Sequence, residues 1–331
     1  MGRRRYFFIV GTGRSGTTLL QSMLSRAPGV FIPAETHFMA LVYERRRTLG
    51  DITTDAGWQA AIRLIHHRNT KAGIKVDAQR FESIARDGPR TYATLLTAWL
   101  RAAAEHATVP DGATPHILGE KSPRHLHHTL ELLAMLPDAR VVHIVRDPRD
   151  VAVSQREAWG TPTLAAAGRW RREQRIEQDL ESLVHPSRFT TVRYKDLVTD
   201  PKPQIERVCQ FLDLPYTERM LSPHERKHKG FAQRETHKLR TLEPITKARI
   251  GRYREKLGPT RLAAIEHLCH EQMARFGYEP DTRPGLHRSL ATAAMVGPLL
   301  SSRIAARNPA RRLIRQSQRS GDRSNASANE E

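Results

Sequence analysis

Cysteines, acidic residues and long hydrophobic runs are all scarce in this sequence. The 331 residues include two cysteines, Cys209 and Cys269, too few for a disulfide framework and without the spacing to histidines that a metal site needs. The longest late apolar stretch, at 290–300, is interrupted by a Gly-Pro pair and is shorter than the roughly 20 residues of a membrane-spanning helix. The basic first residues are followed by no signal-peptide pattern. We therefore expect a reduced, cytoplasmic protein.

The charge is strongly unbalanced towards the basic side. Lys and Arg number 54 against 35 Asp and Glu, which gives a formal net charge of +19 at pH 7. Such a balance favours anionic partners, among them phosphorylated cofactors, nucleic acid and anionic membrane surfaces. We find no aromatic-interleaved basic surface and no nucleic-acid-binding motif, so we expect no nucleic-acid partner. The 39% apolar content is enough for the core of a globular protein.

Short apolar, β-branched runs alternate with helical patterns along most of the chain. YFFIV at 6–10, RVVHIV at 140–145 and FTTVRY at 189–194 are predicted strands, and a fourth is predicted to begin at Ile117. Strands that alternate with helices predict an α/β fold of three layers, with a central parallel sheet flanked by helices. The segments with helical apolar spacing are 18–26, 203–214 and 260–277.

Three long segments lie outside these predicted strands and helices. Residues 41–107 have a helical pattern and form a predicted insertion that would cap a functional site, on the side where an acceptor molecule binds. The basic stretch 224–250 is predicted to be a loop. Residues 281–331 are predicted to be a basic, flexible tail beyond a domain at 1–280, since eight Arg and no acidic residue occur between 283 and 321. The tail has a basic amphipathic pattern that indicates peripheral membrane contact, although a solvated tail without a partner has the same composition.

A glycine-rich turn, GTGRSGTT at 11–18, follows the first predicted strand. Its two outer glycines have P-loop spacing, but Thr17 stands where an ATP- or GTP-binding loop carries lysine. Backbone N–H groups and the positive end of the helix dipole favour an anion there without a lysine. The side chains that can add donors are Arg14, Ser15, Thr17 and Thr18. The turn therefore predicts a phosphate-binding cradle, with a simple strand-to-helix connection as the alternative.

A second candidate anion site follows the strand at 140–145. This strand runs into Arg146, an Asp-Pro pair and a helix that carries Ser154 eight residues after the arginine. The carboxyl ends of parallel strands are where open α/β folds bind ligands. Alternatively, Arg146 is a structural partner of Asp147 or Asp150.

These two motifs carry a family resemblance. FIVGTGRSGTTLL at 8–20 and VVHIVRDPRDVAVS at 141–154 resemble the 5′-phosphosulfate loop and the 3′-phosphate element of sulfotransferases that use 3′-phosphoadenylyl sulfate (PAPS). GEKSPRHL at 119–126 and VRYKDLVTDPKPQIERVCQFLDLP at 192–215 also fit, so the resemblance covers roughly residues 6–280. It implies a P-loop-like fold and transfer of a sulfuryl group from PAPS to a hydroxyl or amine of a small molecule, glycan or lipid. It implies no metal.

The resemblance also assigns residue roles. The implied nucleotide-binding residues are Gly13, Arg14, Ser15, Gly16, Thr17, Thr18, Arg146, Ser154 and Tyr194. The implied catalytic residues are Glu35, Lys121 and Arg14. A cation at Lys121 would stabilise charge on the bridging oxygen as the nucleotide leaves. An ordinary ion pair between Lys121 and Glu120 is the alternative.

Residue types at two positions bear on the role of the general base. Small-molecule sulfotransferases have a histidine two residues after the lysine, whereas this chain has Pro123 there. Tyrosylprotein sulfotransferases and several bacterial relatives use a glutamate soon after the first helix, and FIPAETHF places Glu35 at that point. We therefore predict that Glu35 is the base, unless it only caps the next helix, with His37 and His125 in reserve.

A nucleotide kinase or NTPase is the competing class. Such a protein has lysine and a hydroxyl residue after the second glycine and an apolar strand that ends in a Mg²⁺-binding Asp. Here Thr17 and Arg146 occupy those two positions. The sequence therefore favours a sulfotransferase.

Overall fold

A computed structural model describes most of the chain. It covers residues 4–71, 76–105, 107, 109, 112, 114–225 and 243–282. The predicted tail from 283 onward and positions 226–242 of the predicted basic loop lie outside these residues.

A parallel sheet forms the centre of the described residues. Its five strands are β1 (Arg5–Gly11), β2 (Val30–Phe31), β3 (Ile117–Lys121), β4 (Arg140–Val145) and β5 (Phe189–Arg193). Their order is β2-β3-β1-β4-β5, so β1 lies between β3 and β4. The predicted α/β fold with a central parallel sheet is confirmed. The sequence analysis missed β2, whose two residues are too few to form a pattern, and β5 ends one residue before the predicted strand, because Tyr194 already belongs to a helix.

Helices cover both faces of this sheet. They are α1 (Thr17–Leu24), α2 (Phe38–Leu41), α3 (Arg46–Leu49), α4 (Asp55–Lys71), α5 (Ala78–Arg86), α6 (Tyr92–Glu105), α7 (Thr129–Met135), α8 (Pro148–Trp159), α9 (Thr163–Leu183), α10 (Tyr194–Thr199), α11 (Pro201–Leu212), α12 (Tyr253–Lys256) and α13 (Pro259–Arg275). Short 3-10 helices occur at Tyr43–Arg45, Pro123–His128, Glu218–Leu221 and Pro223–Glu225. Within the described ranges, none of the helices combines the length and apolar character needed to cross a membrane.

The central strand contributes to the core on both faces of the sheet. Phe7 and Ile9 pack with residues of α1, α10 and α11, while Phe8 and Val10 pack with the helices of the predicted insertion. This alternation follows from the two-residue period of a strand. Eight apolar residues with helical spacing in the insertion are all buried in the core: Trp58, Ile62, Ile65, Phe81, Ile84, Leu95, Leu96 and Trp99. The insertion therefore completes the hydrophobic core on one face.

The last described residues are attached to α13. The carboxylate of Glu266 accepts hydrogen bonds from the amides of Asp281 (2.8 Å) and Thr282 (3.0 Å). The Tyr253 hydroxyl donates to Asp281 at 2.9 Å. Asp281 and Thr282 therefore belong with the packed residues that precede them.

The carboxyl ends of three neighbouring strands meet at one edge of the sheet. Ile9 of β1 pairs with Lys121 at the end of β3, and Gly11 pairs with Ile144 near the end of β4. The glycine-rich turn, Lys121 and Arg146 therefore lie at the ends of adjacent strands, although they are far apart in sequence. This edge positions the candidate site.

Candidate functional site

Two positions of the turn between β1 and α1 have a backbone conformation that favours glycine. Gly11 and Gly16 have φ values of 150° and 104°. A Cβ atom at Gly11 would lie 2.5 Å from the carbonyl oxygen of Ile144, and one at Gly16 would lie 2.5 Å from the ring of Tyr194. These close approaches explain why glycines stand at both P-loop positions.

The turn directs polar groups towards a site for an anion. Ser15 is completely buried, and its hydroxyl has no hydrogen-bond partner among the described residues. Thr17 and Thr18 are also buried and form the first turn of α1, which has neither an acidic residue nor a side-chain cap. The N–H groups at the start of this helix are therefore available to an anion. A buried hydroxyl beside a helix N-terminus fits the terminal group of a nucleotide such as PAPS.

Arg14 connects the cradle with α8. Its backbone has a φ of 76°, and its Nε donates to the hydroxyl of Ser154 at 3.2 Å. The guanidinium carbon lies 6.0 Å from the centroid of the Trp159 ring. The carbonyl oxygen of Arg14 accepts a hydrogen bond from Arg146 at 3.3 Å. The structure therefore brings together the two motifs that the sequence analysis treated as separate anion sites.

Arg146 lies between the cradle and the segment before α12. Its guanidinium stacks on the ring of Tyr194 at 4.6 Å and donates to the carbonyl of Arg249 at 2.5 Å. Its Nε is buried and has no hydrogen-bond partner among the residues that the structure describes. Burial raises the pKa of the Tyr194 hydroxyl, against the opposing effect of Arg146. An unsatisfied buried guanidinium N–H is costly, so this position also fits an anionic ligand.

Asp150 is only a distant partner of Arg146. Their closest atoms are 3.7 Å apart, whereas Asp150 accepts hydrogen bonds from the amides of Gly251 (2.9 Å) and Tyr253 (3.2 Å). Burial raises the pKa of Asp150, and Arg146 opposes this effect. Asp147 instead caps α8 by accepting from the Arg149 amide at 2.9 Å. Both carboxylates thus have structural roles.

Glu35 and Lys121 form an ion pair on the other side of the cradle. Lys121 Nζ lies 2.5 Å from Glu35 Oε1 and donates to the hydroxyl of Thr18 at 3.4 Å. Lys121 is fully buried. The alternative pairing of Lys121 with Glu120 is wrong, because adjacent strand residues point to opposite faces. The alternative that Glu35 caps α2 is also wrong, since the helix has His37 at its N-cap and no side-chain cap.

Glu120 forms the buried support behind this ion pair. One of its carboxylate oxygens accepts from the hydroxyls of Thr36 and Ser122, each at 2.7 Å. The other lies 2.7 Å from His125 Nδ1, while the amide of Met39 donates to His125 Nε2 at 3.3 Å. Burial alone would raise the pKa of Glu120, but His125 and these hydrogen bonds lower it overall. Both ring nitrogens of His125 thus lie against other protein groups and the side chain is fully buried, which does not suit a reserve base.

The sequence analysis missed this role of Glu120 and considered it only as a partner of Lys121. The available signal was weak: an acidic residue at the end of a buried strand, followed by Lys and Ser. In the structure it joins β3 to the segment that carries Glu35. None of the described His, Cys, Asp and Glu side chains gather into a group of three or more that could hold a metal ion.

This geometry agrees with a comparison against known families. A family model described as "Sulfotransferase family" matches residues 7–218, which is more than half of the chain. The chain belongs to the sulfotransferase family. The match includes the glycine-rich turn, Glu35, Lys121 and the Arg146 motif, so the predicted family is confirmed.

Individual relatives of this chain are distant. The solved sulfotransferase domain of the Synechococcus PCC 7002 olefin synthase is 24% identical to this chain. The superposition covers 83% of this chain and 94% of the solved domain with a TM-score of 0.58, which supports the fold. An uncharacterised protein of Aquifex aeolicus is 23% identical over 237 residues, 68% of this chain and 27% of that protein. Omega-hydroxy-beta-dihydromenaquinone-9 sulfotransferase Stf3 of Mycobacterium bovis is 32% identical over 108 residues, 28% of each. The chain thus spans little more than a quarter of these curated relatives.

The substitution Gly16→Ala tests the close contact between the cradle and the Tyr194 ring. The new Cβ would meet the Tyr194 ring at 2.5 Å, whereas one at Gly50, which also has a positive φ of 83°, would meet nothing within 4 Å. We expect Gly16→Ala to lower the free energy of unfolding by about 1–3 kcal/mol more than Gly50→Ala, as for other overpacked sites. Chemical denaturation measures both. Equal losses would mean that the ring moves aside freely.

Proposed function

We propose that the protein transfers a sulfuryl group from PAPS to an acceptor hydroxyl or amine by in-line displacement and releases adenosine 3′,5′-bisphosphate. The observation that carries this proposal is the pair of joined donor groups at one sheet edge. A nucleotide with two separated anionic ends needs two such groups. The cradle with Arg14 would hold the 5′ end, and Arg146 with Ser154 would hold the 3′-phosphate.

The residues beside the cradle have complementary roles in this reaction. As the bond between sulfur and the bridging oxygen breaks, its electron pair goes to the leaving nucleotide, and Arg14 and Lys121 would stabilise the charge there. Glu35 would take the proton of the acceptor oxygen as that oxygen bonds to sulfur. The 2.5 Å contact between Lys121 and Glu35 supports this proposal, because the two proposed catalytic side chains are neighbours beside the cradle.

The acceptor is proposed only by class. Small molecules, glycans and lipids are all included, and the mycobacterial relative is named for a hydroxylated menaquinone. The insertion at 41–107 is proposed to limit the acceptor site, because α2 begins next to Glu35 at Phe38.

Radiolabelled PAPS tests the function and the acceptor together. The protein is incubated with PAPS and extracts of lipids, glycans or small molecules, and mass spectrometry detects the gain of a sulfate-sized mass. We expect transfer to persist in excess EDTA, because Thr17 stands in place of the lysine that binds phosphates beside Mg²⁺ in NTPases. Loss of all activity on chelation would favour the kinase class. Absence of both transfer and binding of adenosine 3′,5′-bisphosphate would refute the proposal.

We also propose that the basic tail brings the enzyme to anionic membranes. Its sequence places arginines among the apolar residues of 299–315, a pattern that suits the surface of an anionic bilayer. Truncation should follow Thr282 and not Pro280, because Thr282 and Asp281 bind Glu266. We expect the truncated protein to keep its turnover of a soluble acceptor and to sediment less with anionic liposomes at low salt. Neutral liposomes are the control, and equal sedimentation of both proteins would remove the membrane role.

A further inference from the structure

His37 has a backbone conformation that is rare for a residue with a side chain. Its φ is 52°, in the left-handed region, and it stands directly before α2. Among the described non-glycine residues, Arg14 and Asp213 also have a positive φ. Backbone strain of this kind persists only where surrounding contacts hold it, and it concentrates at functional sites. The contacts and direction of the His37 ring therefore indicate its role.

The end of β3 holds His37 in place. The His37 amide donates to the hydroxyl of Ser122 at 3.1 Å, and Ser122 donates in turn to Glu120 at 2.7 Å. The hydroxyl of the preceding residue, Thr36, donates to the same oxygen of Glu120 at 2.7 Å. The turn is thus attached to the strand that carries Lys121. The positions of His37 and Lys121 are fixed relative to each other.

The ring of His37 lies against the second oxygen of Glu35. His37 Nε2 is 3.4 Å from Glu35 Oε2, while Lys121 takes Oε1. Exposure increases along this series: the side chain of Lys121 is 0% exposed, that of Glu35 is 11% and that of His37 is 40%. An acceptor that arrives from solvent therefore reaches the carboxylate on the side of His37. Contacts of catalytic groups that are long in a ligand-free protein commonly shorten in the reacting complex.

We propose that His37 is a positioning residue for Glu35, holding the carboxylate in place while neutral and weakening it as a base when protonated. This inference rests on the proposed function, in which Glu35 takes the acceptor's proton. A neutral imidazole can donate one hydrogen bond to Oε2, and a carboxylate oxygen can accept more than one hydrogen bond, so an acceptor hydroxyl can donate to the same oxygen. An imidazolium in the same place forms an ion pair that favours the ionised carboxylate and so opposes proton uptake.

The surroundings of His37 set the pH range of this effect. Four ionisable groups face the ring, namely Glu35, Glu120, His125 and Lys121. Burial lowers the pKa of His37, and the positive charges of His125 and Lys121 lower it further. The two carboxylates raise the pKa, but not enough to cancel these effects, so it lies below the usual 6.5. His37 is therefore neutral at neutral pH. Because the imidazolium forms as the pH falls through this pKa, kcat is expected to fall there as well.

Two substitutions separate positioning from charge. In His37→Gln the amide can still donate to Oε2 but cannot become charged, so we expect kcat within a few-fold of wild type at neutral pH and loss of the acidic decrease due to His37. His37→Gly removes the ring and suits the left-handed backbone, so kcat should fall about ten- to a hundredfold at neutral pH, where the ring of the wild type is neutral, with the KM for PAPS unchanged. Asp213→Gly changes a residue with the same φ of 52° outside the site and should leave kcat unchanged.

A titration followed by NMR tests the contact without turnover. The His37 resonance is identified by its absence in His37→Gly. Since the charge of Glu35 raises the pKa of His37, the Glu35→Gln variant should titrate at a lower pH. An unchanged titration, wild-type kcat in His37→Gly or an acidic decrease retained in His37→Gln would each overturn the inference. Failure of the proposed function would show differently, as absence of nucleotide binding by the wild-type protein.

Discussion

Glu35→Gln is expected to lower kcat by about 10²- to 10⁴-fold, the range for loss of a positioned general base. The amide nearly matches the carboxylate in shape but cannot accept the proton of the acceptor oxygen. Affinity for adenosine 3′,5′-bisphosphate should not weaken, because Glu35 contributes no positive charge or donor to the cradle. Steady-state kinetics measures the first effect, and calorimetry with the nucleotide measures the second.

The control for this substitution is Glu82→Gln, which removes an equivalent carboxylate from α5. Glu82 forms an ion pair with Arg86 on the helix surface at 3.4 Å, and this pair lies outside the candidate site. It should leave both kcat and nucleotide affinity unchanged. If Glu35→Gln turned over within a few-fold of wild type, another group would have to be the base. A thermal melt confirms that Lys121, deprived of its carboxylate partner, has not unfolded the site.

Arg146→Ala should weaken binding of adenosine 3′,5′-bisphosphate by about 1.5–3 kcal/mol, the usual contribution of a charge-assisted contact. Since 1.4 kcal/mol corresponds to a tenfold change, the dissociation constant should rise by about 10- to 150-fold. Arg146 can supply its unpartnered Nε to the 3′-phosphate, while its stacking on Tyr194 keeps the guanidinium plane fixed. Calorimetry on the purified protein measures the change.

Two further variants make this result specific. Arg146→Lys keeps the charge but loses the planar fork, so it should recover only part of the affinity. Arg175→Ala removes an exposed arginine of α9 that pairs with Glu271, and it should bind the nucleotide as wild type does. Equal affinity in Arg146→Ala and wild type would end the assignment of the 3′-phosphate site. A loss in Arg175→Ala of the same size would mean that net charge alone drives binding.

Local patterns were sufficient to predict the sheet and the cradle. Strand β4 coincides with the predicted run of β-branched residues at 140–145, and the turn from Gly11 to Gly16 lies where its glycine spacing placed it. Both features depend on interactions within a short segment, such as side-chain alternation and backbone freedom. These are the interactions that a single sequence displays directly.

The contacts that assemble the site depend instead on residues far apart in the chain. Glu35 and Lys121 are 86 residues apart, and Arg14 and Ser154 are 140 apart. No local pattern indicates which of two adjacent residues, Glu120 or Lys121, points towards Glu35. That choice depends on the register of β3 beside β1, which follows from packing of the whole sheet.

The position of β1 in the sheet has a consequence for synthesis of the chain. The central strand is made first, but its neighbours end only at Lys121 and Val145. At the usual 5 to 20 residues per second, a ribosome needs about 7 to 30 s to make the chain between β1 and the end of β4. The apolar segment from Phe7 to Val10 has neither hydrogen-bonded partner until β3 is complete, and it lacks one of the two until β4 is complete. Unpaired apolar strands of this kind are prone to aggregate, so the emerging chain is most exposed to aggregation before β4 has left the ribosome.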